Sequence, residues 1–180
     1  VAVTGYLGGS GGGLKLMQEY EQDSPGQASN RPLGDISTEA ADYLRRCHRR
    51  PQPAIAQGRI LSEAGVVTAM DISDGLADDL GKLCRSSGFS ARLYADKIPA
   101  HRLLKQAFPK DWLDLALNGG EDYQLLFTAK RETMEWVLPL LVEPATVVGE
   151  VLAGSPGGVV VVDDQGLESA AKSVGWDHFA

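Results

Sequence analysis

Cysteine is scarce. Cys47 and Cys84 are the two thiols in 180 residues, and no Cys-x-x-Cys spacing exists. A disulfide scaffold or a zinc ribbon is therefore excluded, and the expected compartment is a reducing cytoplasm. Long apolar runs are absent too, so no stretch reads as a membrane-spanning helix. Basic charge is in short supply, with 17 Lys and Arg against 24 Asp and Glu, a formal charge of −7. A nucleic-acid backbone or an anionic membrane would be repelled by that field. The three histidines, His48, His101 and His178, are too scattered for a metal site readable from spacing. Glycine is plentiful, but the run Gly8-Gly9-Ser10-Gly11-Gly12-Gly13 meets neither dinucleotide nor P-loop spacing, because Leu14 separates it from Lys15. It reads as a glycine-rich turn before a short helix that buries Leu14 and Met17. What is present, 43% hydrophobic residues, suffices for one core-bearing domain without covalent staples.

The most informative stretch is Asp71-Ile72-Ser73-Asp74-Gly75-Leu76, where the apolar strand Gly65–Met70 gives way to a helix. Leu76, Leu80, Leu83 and Cys84 follow helical spacing, Asp78 and Asp79 fall in the first turn, and Gly88 marks the stop. Ser73 or Asp74 is the expected N-cap. Two readings stand together. Carboxylates three residues apart at a loop edge can share a hard cation that bridges phosphate oxygens. Asp and Ser before a helix are also ordinary caps, worth about 1 kcal/mol each.

A second cluster, Asn118-Gly119-Gly120-Glu121-Asp122-Tyr123, places adjacent acids behind paired glycines that permit close backbone approach. A solvated turn is the plainer reading.

Elsewhere, residues 21–36 are polar and rich in Gly, Pro, Ser and Asn, which predicts a mobile loop. A helix is expected from Ser37, with acids early and arginines late, another over 54–64, and one from about Arg131 to Leu141 ended by Pro139. Further strands are expected at 90–94, 123–129, 146–151 and 158–162. Helices and strands interleave without a strict βαβ repeat, which points to an α/β (α+β) fold, a layered mixed β-sheet flanked by helices.

Taken in order, Val3-Thr4-Gly5 with Leu7-Gly8 and Ser10, Arg50-Pro51 with Pro53, Ala69-Met70-Asp71-Ile72-Ser73-Asp74-Gly75-Leu76, Gly119-Gly120-Glu121-Asp122-Tyr123, Leu125-Leu126-Phe127-Thr128 and Gly175-Trp176-Asp177-His178-Phe179 resemble the thiamine-monophosphate kinases. These belong to the superfamily of aminoimidazole ribonucleotide synthetase and selenophosphate synthetase, and the Trp-Asp-His-Phe ending points to the thiamine branch. The resemblance covers the C-terminal part of such a kinase. It implies that an N-terminal domain with an acidic Mg²⁺-binding cluster, much of the ATP site and the usual homodimer interface lies outside this chain. It further implies ATP-dependent phosphorylation of thiamine monophosphate to thiamine diphosphate, with Asp71 and Asp74 as Mg²⁺ ligands and Ser73 as an ATP contact. Glu121 or Asp122 would be the substrate-binding acid and Trp176 an aromatic substrate contact. Transfer would be direct and in-line, without a covalent nucleophile. Gly9 departs from the resemblance, since such kinases commonly carry an acid there. A sister ATP-dependent synthetase, or a non-catalytic assembly or ligand-sensing domain, are the alternative expectations.

Overall fold

Val3 and Leu126 face one side of a sheet while Ala2 and Phe127 face the other, and all four are buried, so the strands that carry them have core on both faces. The structure is a computed structural model that describes residues 1–20, 34–142 and 144–171. In chain order its elements are β1 (Ala2–Thr4), α1 (Gly9–Tyr20), α2 (Thr38–Arg49), α3 (Ile55–Glu63), β2 (Thr68–Asp71), α4 (Leu76–Ser87), β3 (Ser90–Tyr94), α5 (Arg102–Ala107), α6 (Trp112–Asn118), β4 (Leu125–Thr128), α7 (Arg131–Val137), β5 (Ala145–Val147), β6 (Gly149–Leu152), β7 (Val159–Val162) and β8 (Glu168–Ala170).

Among the described residues the strands form two four-stranded sheets, in keeping with the layered mixed α/β fold expected. The first has the order β2-β4-β1-β5 and is antiparallel throughout. The second, β6-β3-β7-β8, is mixed, with β3 and β7 parallel. The expected strand 146–151 is in fact two, β5 in the first sheet and β6 in the second. Val148 between them is fully buried and switches partners: its N–H donates to Val1 O at 3.0 Å and its carbonyl accepts from Tyr94 N–H at 2.9 Å.

Helix α4 lies between the sheets. Leu76, Leu80 and Cys84 meet Val3 and Leu126 of the first and Leu93, Val159 and Val161 of the second. On the outer face of the first sheet, Leu61 of α3 and Met134 and Val137 of α7 pack on Ala2 and Phe127. A third cluster joins α1, α2 and α5 through Leu16, Leu44 and Leu104.

Helix α2 is capped as expected, with Ser37 accepting from Ala40 N–H at 3.2 Å. Helix α7 passes into a 3₁₀ turn at Leu138–Leu140 that contains Pro139. The glycine run is not a turn: α1 begins at Gly9 and includes it. Leu16 is the large apolar side chain that α1 buries among its described residues, Met17 is half-buried and Leu14 is exposed, which corrects the expected face. Most of the polar stretch expected to be mobile, residues 21–33, lies outside the described residues. Among the described residues, no helix is long and apolar enough to cross a membrane.

Candidate active site

The two acidic motifs are laced together by backbone hydrogen bonds. Ile72 N–H donates to Gln124 O at 2.8 Å, Tyr123 N–H to Ile72 O at 3.0 Å and Glu121 N–H to Ser73 O at 2.8 Å. This continues the antiparallel pairing of β2 with β4 beyond Asp71 and Leu125 into the loops. Gly120 is needed here, because a Cβ at that position would sit 2.5 Å from Ser73 O. Glu121 and Tyr123 take φ of 64° and 52°, a left-handed conformation that costs a non-glycine residue about 1–2 kcal/mol. The surrounding hydrogen bonds hold it in place.

Neither Ser73 nor Asp74 caps α4 with its side chain. The N-cap is Gly75, and the orphan N–H groups of Ser73 and Asp74 donate instead to Asp79 Oδ2, both at 2.9 Å. Asp79 is fully buried and reaches back from the first turn of the helix. Its side chain, rather than theirs, shapes the loop.

Asp74, Asp78 and Asp79 each offer an oxygen within 4.8 Å of the others. Lys82 binds all three: its Nζ lies 2.7 Å from Asp78 and 3.0 Å from Asp79, and it also pairs with Asp74. Burial alone would lower the Lys82 ammonium, but the carboxylates outweigh it and hold it above the ordinary lysine value. Asp71, at the exposed end of β2, is outside this convergence. Three hard oxygen donors are of the type Mg²⁺ takes, but the Lys82 ammonium already occupies their meeting point, so an ion there would have to displace it.

Glu121 and Asp122 have opposite surroundings. Glu121 is exposed and lines a groove of about 840 Å³ with Ser10, His48, Ser73, Asp74 and Asn118. Asp122 is buried, with one carboxylate oxygen accepting from Gly8 N–H at 2.6 Å and the other from Ser10 N–H at 3.0 Å. Burial pushes its carboxyl up to about 6, against the pull of those amides. The N-terminus of α1 thus already holds an anion from within the protein, in the position where a phosphate would bind. Gly9 has no side chain because Cys47 fills its place: a Cβ there would lie 2.9 Å from the Cys47 sulfur.

Lys15, on the same groove, is tied to Asp111 at 2.8 Å and to Glu19 at 3.5 Å. Trp176 lies outside the described residues, as does His178. Asp78, Asp79, Lys82, Ser10 and His48 were not singled out as site residues by the motifs. Of these, the i,i+3 and i,i+4 spacing of Asp79 and Asp78 to Lys82 was visible in the sequence; the meeting of Ser10 with His48 was not.

Fold and site define a two-sheet α/β domain in which two acidic loops share the wall of one polar groove. The chain belongs to the family of AIR synthase related proteins, C-terminal domain, whose pattern matches residues 1–162. It is similar to the thiamine-monophosphate kinase of Escherichia coli O157:H7, 35% identical over 184 residues, which take in 100% of this chain and 52% of that protein. It is similar also to the thiamine-monophosphate kinase of Bacillus subtilis strain 168, 32% identical over 99% of this chain and 52% of the relative. Among solved structures, AaThiL complexed with AMPPCP and TMP superposes with a TM-score of 0.74 at 31% identity, over 99% of this chain and 50% of that one. The chain spans about half the length of the curated relatives it matches.

Proposed function

We propose that this chain is the C-terminal half of an ATP-dependent kinase that phosphorylates thiamine monophosphate to thiamine diphosphate. The observation that carries this reading is the common groove wall made by Ser73–Asp74 and Gly119–Glu121, fixed by the Glu121–Ser73 backbone hydrogen bond. Relatives named for that activity, and a solved relative holding AMPPCP and TMP, support it.

In this reading Ser73 contacts the nucleotide, and Asp74 helps hold Mg²⁺, with Asp71 as a second carboxylate at the strand end. Bound Mg²⁺ would supply charge neutralisation at the phosphate oxygens. The protein's own contribution is placement. Asp79 fixes the Ser73–Asp74 loop through two amides, and the strained conformation at Glu121 sets its carboxylate on the groove. There it can offset the cationic thiazolium or accept a hydrogen bond from the aminopyrimidine. Asp122 is the anchor of this loop, so Glu121 is the substrate-facing acid of the pair. Trp176 is the proposed aromatic contact. The rest of the ATP and Mg²⁺ site belongs to an N-terminal domain, in a homodimeric, cytoplasmic enzyme.

The test is a coupled assay on the full-length protein with ATP, Mg²⁺ and thiamine monophosphate, reading thiamine diphosphate by mass. The expected result is product formation that falls on the order of 10²-fold in Asp74→Asn. ATP turnover only with an aminoimidazole-type acceptor would move the assignment to a sister synthetase, and no nucleotide turnover would point to a non-catalytic domain.

A further inference from the structure

A buried chain of hydrogen bonds leaves the second motif and emerges on the groove. It starts at Asp122, whose carboxylate holds the Ser10 N–H at 3.0 Å. Ser10 is 1% exposed, and its hydroxyl lies 3.0 Å from His48 Nδ1. His48, near the end of α2, lines the groove together with Ser73, Asp74 and Glu121. The base of the His48 side chain packs against α1, since a Cβ on Gly13 would come within 2.7 Å of His48 Cβ. Ser10 is the hydrogen-bond partner of His48 among the described residues. The Ser10 hydroxyl can donate to Nδ1 or accept from it; when it donates, the imidazole carries its hydrogen on Nε2, which is then a donor.

The groove is short of uncommitted positive charge, and its donors are neutral groups such as Ser73, Gln18 and His48. Its charged side chains are mainly carboxylates, from Glu19, Asp74, Asp114 and Glu121, and the ammonium of Lys15 is already committed to Asp111 and Glu19. We propose that His48 is a ligand-contacting residue of this groove, its Nε2–H donating to a phosphate oxygen of the substrate, with Ser10 and Asp122 as the residues that position it. This rests on the kinase reading above and adds a contact to it. Both substrates of that reaction carry phosphate, so the shared chemistry is a phosphate oxygen, and the measurements below separate the two sources.

Three variants of the full-length protein discriminate the atoms. Glutamine can place an N–H near the Nε2 position, asparagine only near Nδ1, and alanine neither. The expected result is that the KM of one substrate, ATP or thiamine monophosphate, rises roughly tenfold in His48→Ala and His48→Asn, as for loss of one hydrogen bond to a charged group, while His48→Gln stays near wild type. The substrate whose KM moves is the source of the phosphate. Calorimetric affinities for thiamine monophosphate and for a non-hydrolysable ATP analogue should show the same pattern, which decides the His48 contact even if the wild-type protein turns out to catalyse another reaction. Nitrogen-15 NMR of the wild-type histidines needs no variant: the His48 Nε2 resonance should move on adding that ligand. Unchanged KM and affinity for both ligands in His48→Ala, rescue by asparagine in place of glutamine, or a stationary Nε2 resonance would each overturn the proposal.

Discussion

Glu121 and Asp122 are neighbours of the same charge, yet one lies open on the groove and the other is enclosed against the start of α1. The enclosed one gives a pH signature. Its native pKa, about 6, lies above the ordinary 3.8, so the folded protein takes up the proton first. The stability this contributes is fully present below about 3.8 and is lost as the pH rises through about 6. Wild type should therefore gain about 2 kcal/mol relative to Asp122→Asn between pH 7 and pH 4, measured by urea unfolding. Parallel stability curves for the two proteins would show that Asp122 titrates alike when folded and unfolded. At this scale the sequence marked the right loops, since Ser73, Asp74 and Glu121 do share a groove. It could not rank Glu121 against Asp122, because what separates them is the pair of Gly8 and Ser10 amides at the start of α1, more than a hundred residues away along the chain. His48 was hidden for the same reason: its partner Ser10 sits on another helix, and no spacing within α2 announces it.

Helix α1 shows how a run of glycines can serve packing. A Cβ on Gly13 would stand 2.3 Å from the backbone oxygen of Leu44, so the close approach of α1 to α2 depends on its absence. Helix propensity alone would have Gly13→Ala stabilise by about 1 kcal/mol. The expected outcome is the opposite, a net loss of about 1–3 kcal/mol in urea unfolding, because backbone cannot yield as a side-chain tip can. Stabilisation by that substitution would mean that the helices separate freely. This also explains why α1 was misread, since four glycines in five residues signal a turn unless a neighbouring helix requires them. By contrast α4 was visible from Leu76, Leu80 and Cys84 and from the stop at Gly88, because one amphipathic face and one terminator are local features. The division of β5 from β6 was not, since Thr146 to Val151 reads as one β-rich run and the change of sheet at Val148 is decided by partners from Val1 and Tyr94.

At the scale of the whole molecule, the described residues hold three buried clusters and the groove, and the chain spans about half the length of the relatives it matches. The isolated 180-residue chain, checked for folding by circular dichroism, should consume no appreciable ATP in the presence of thiamine monophosphate and Mg²⁺, whereas the full-length protein should. Thiamine-dependent turnover by the short chain would show that the groove is self-sufficient. The first sheet carries a different consequence. Its strand β1 lies inside, paired on one side with β4 and on the other with β5, so that Ala2 meets Phe127 and Val147. During synthesis β1 has no neighbour in this sheet until β4 and β5, more than a hundred residues later, leave the ribosome, a wait on the order of ten seconds at ordinary elongation rates. Closure of the sheet is therefore a long-range event, slow by the standards of small domains, and for that interval an apolar strand stands with both edges open to other chains.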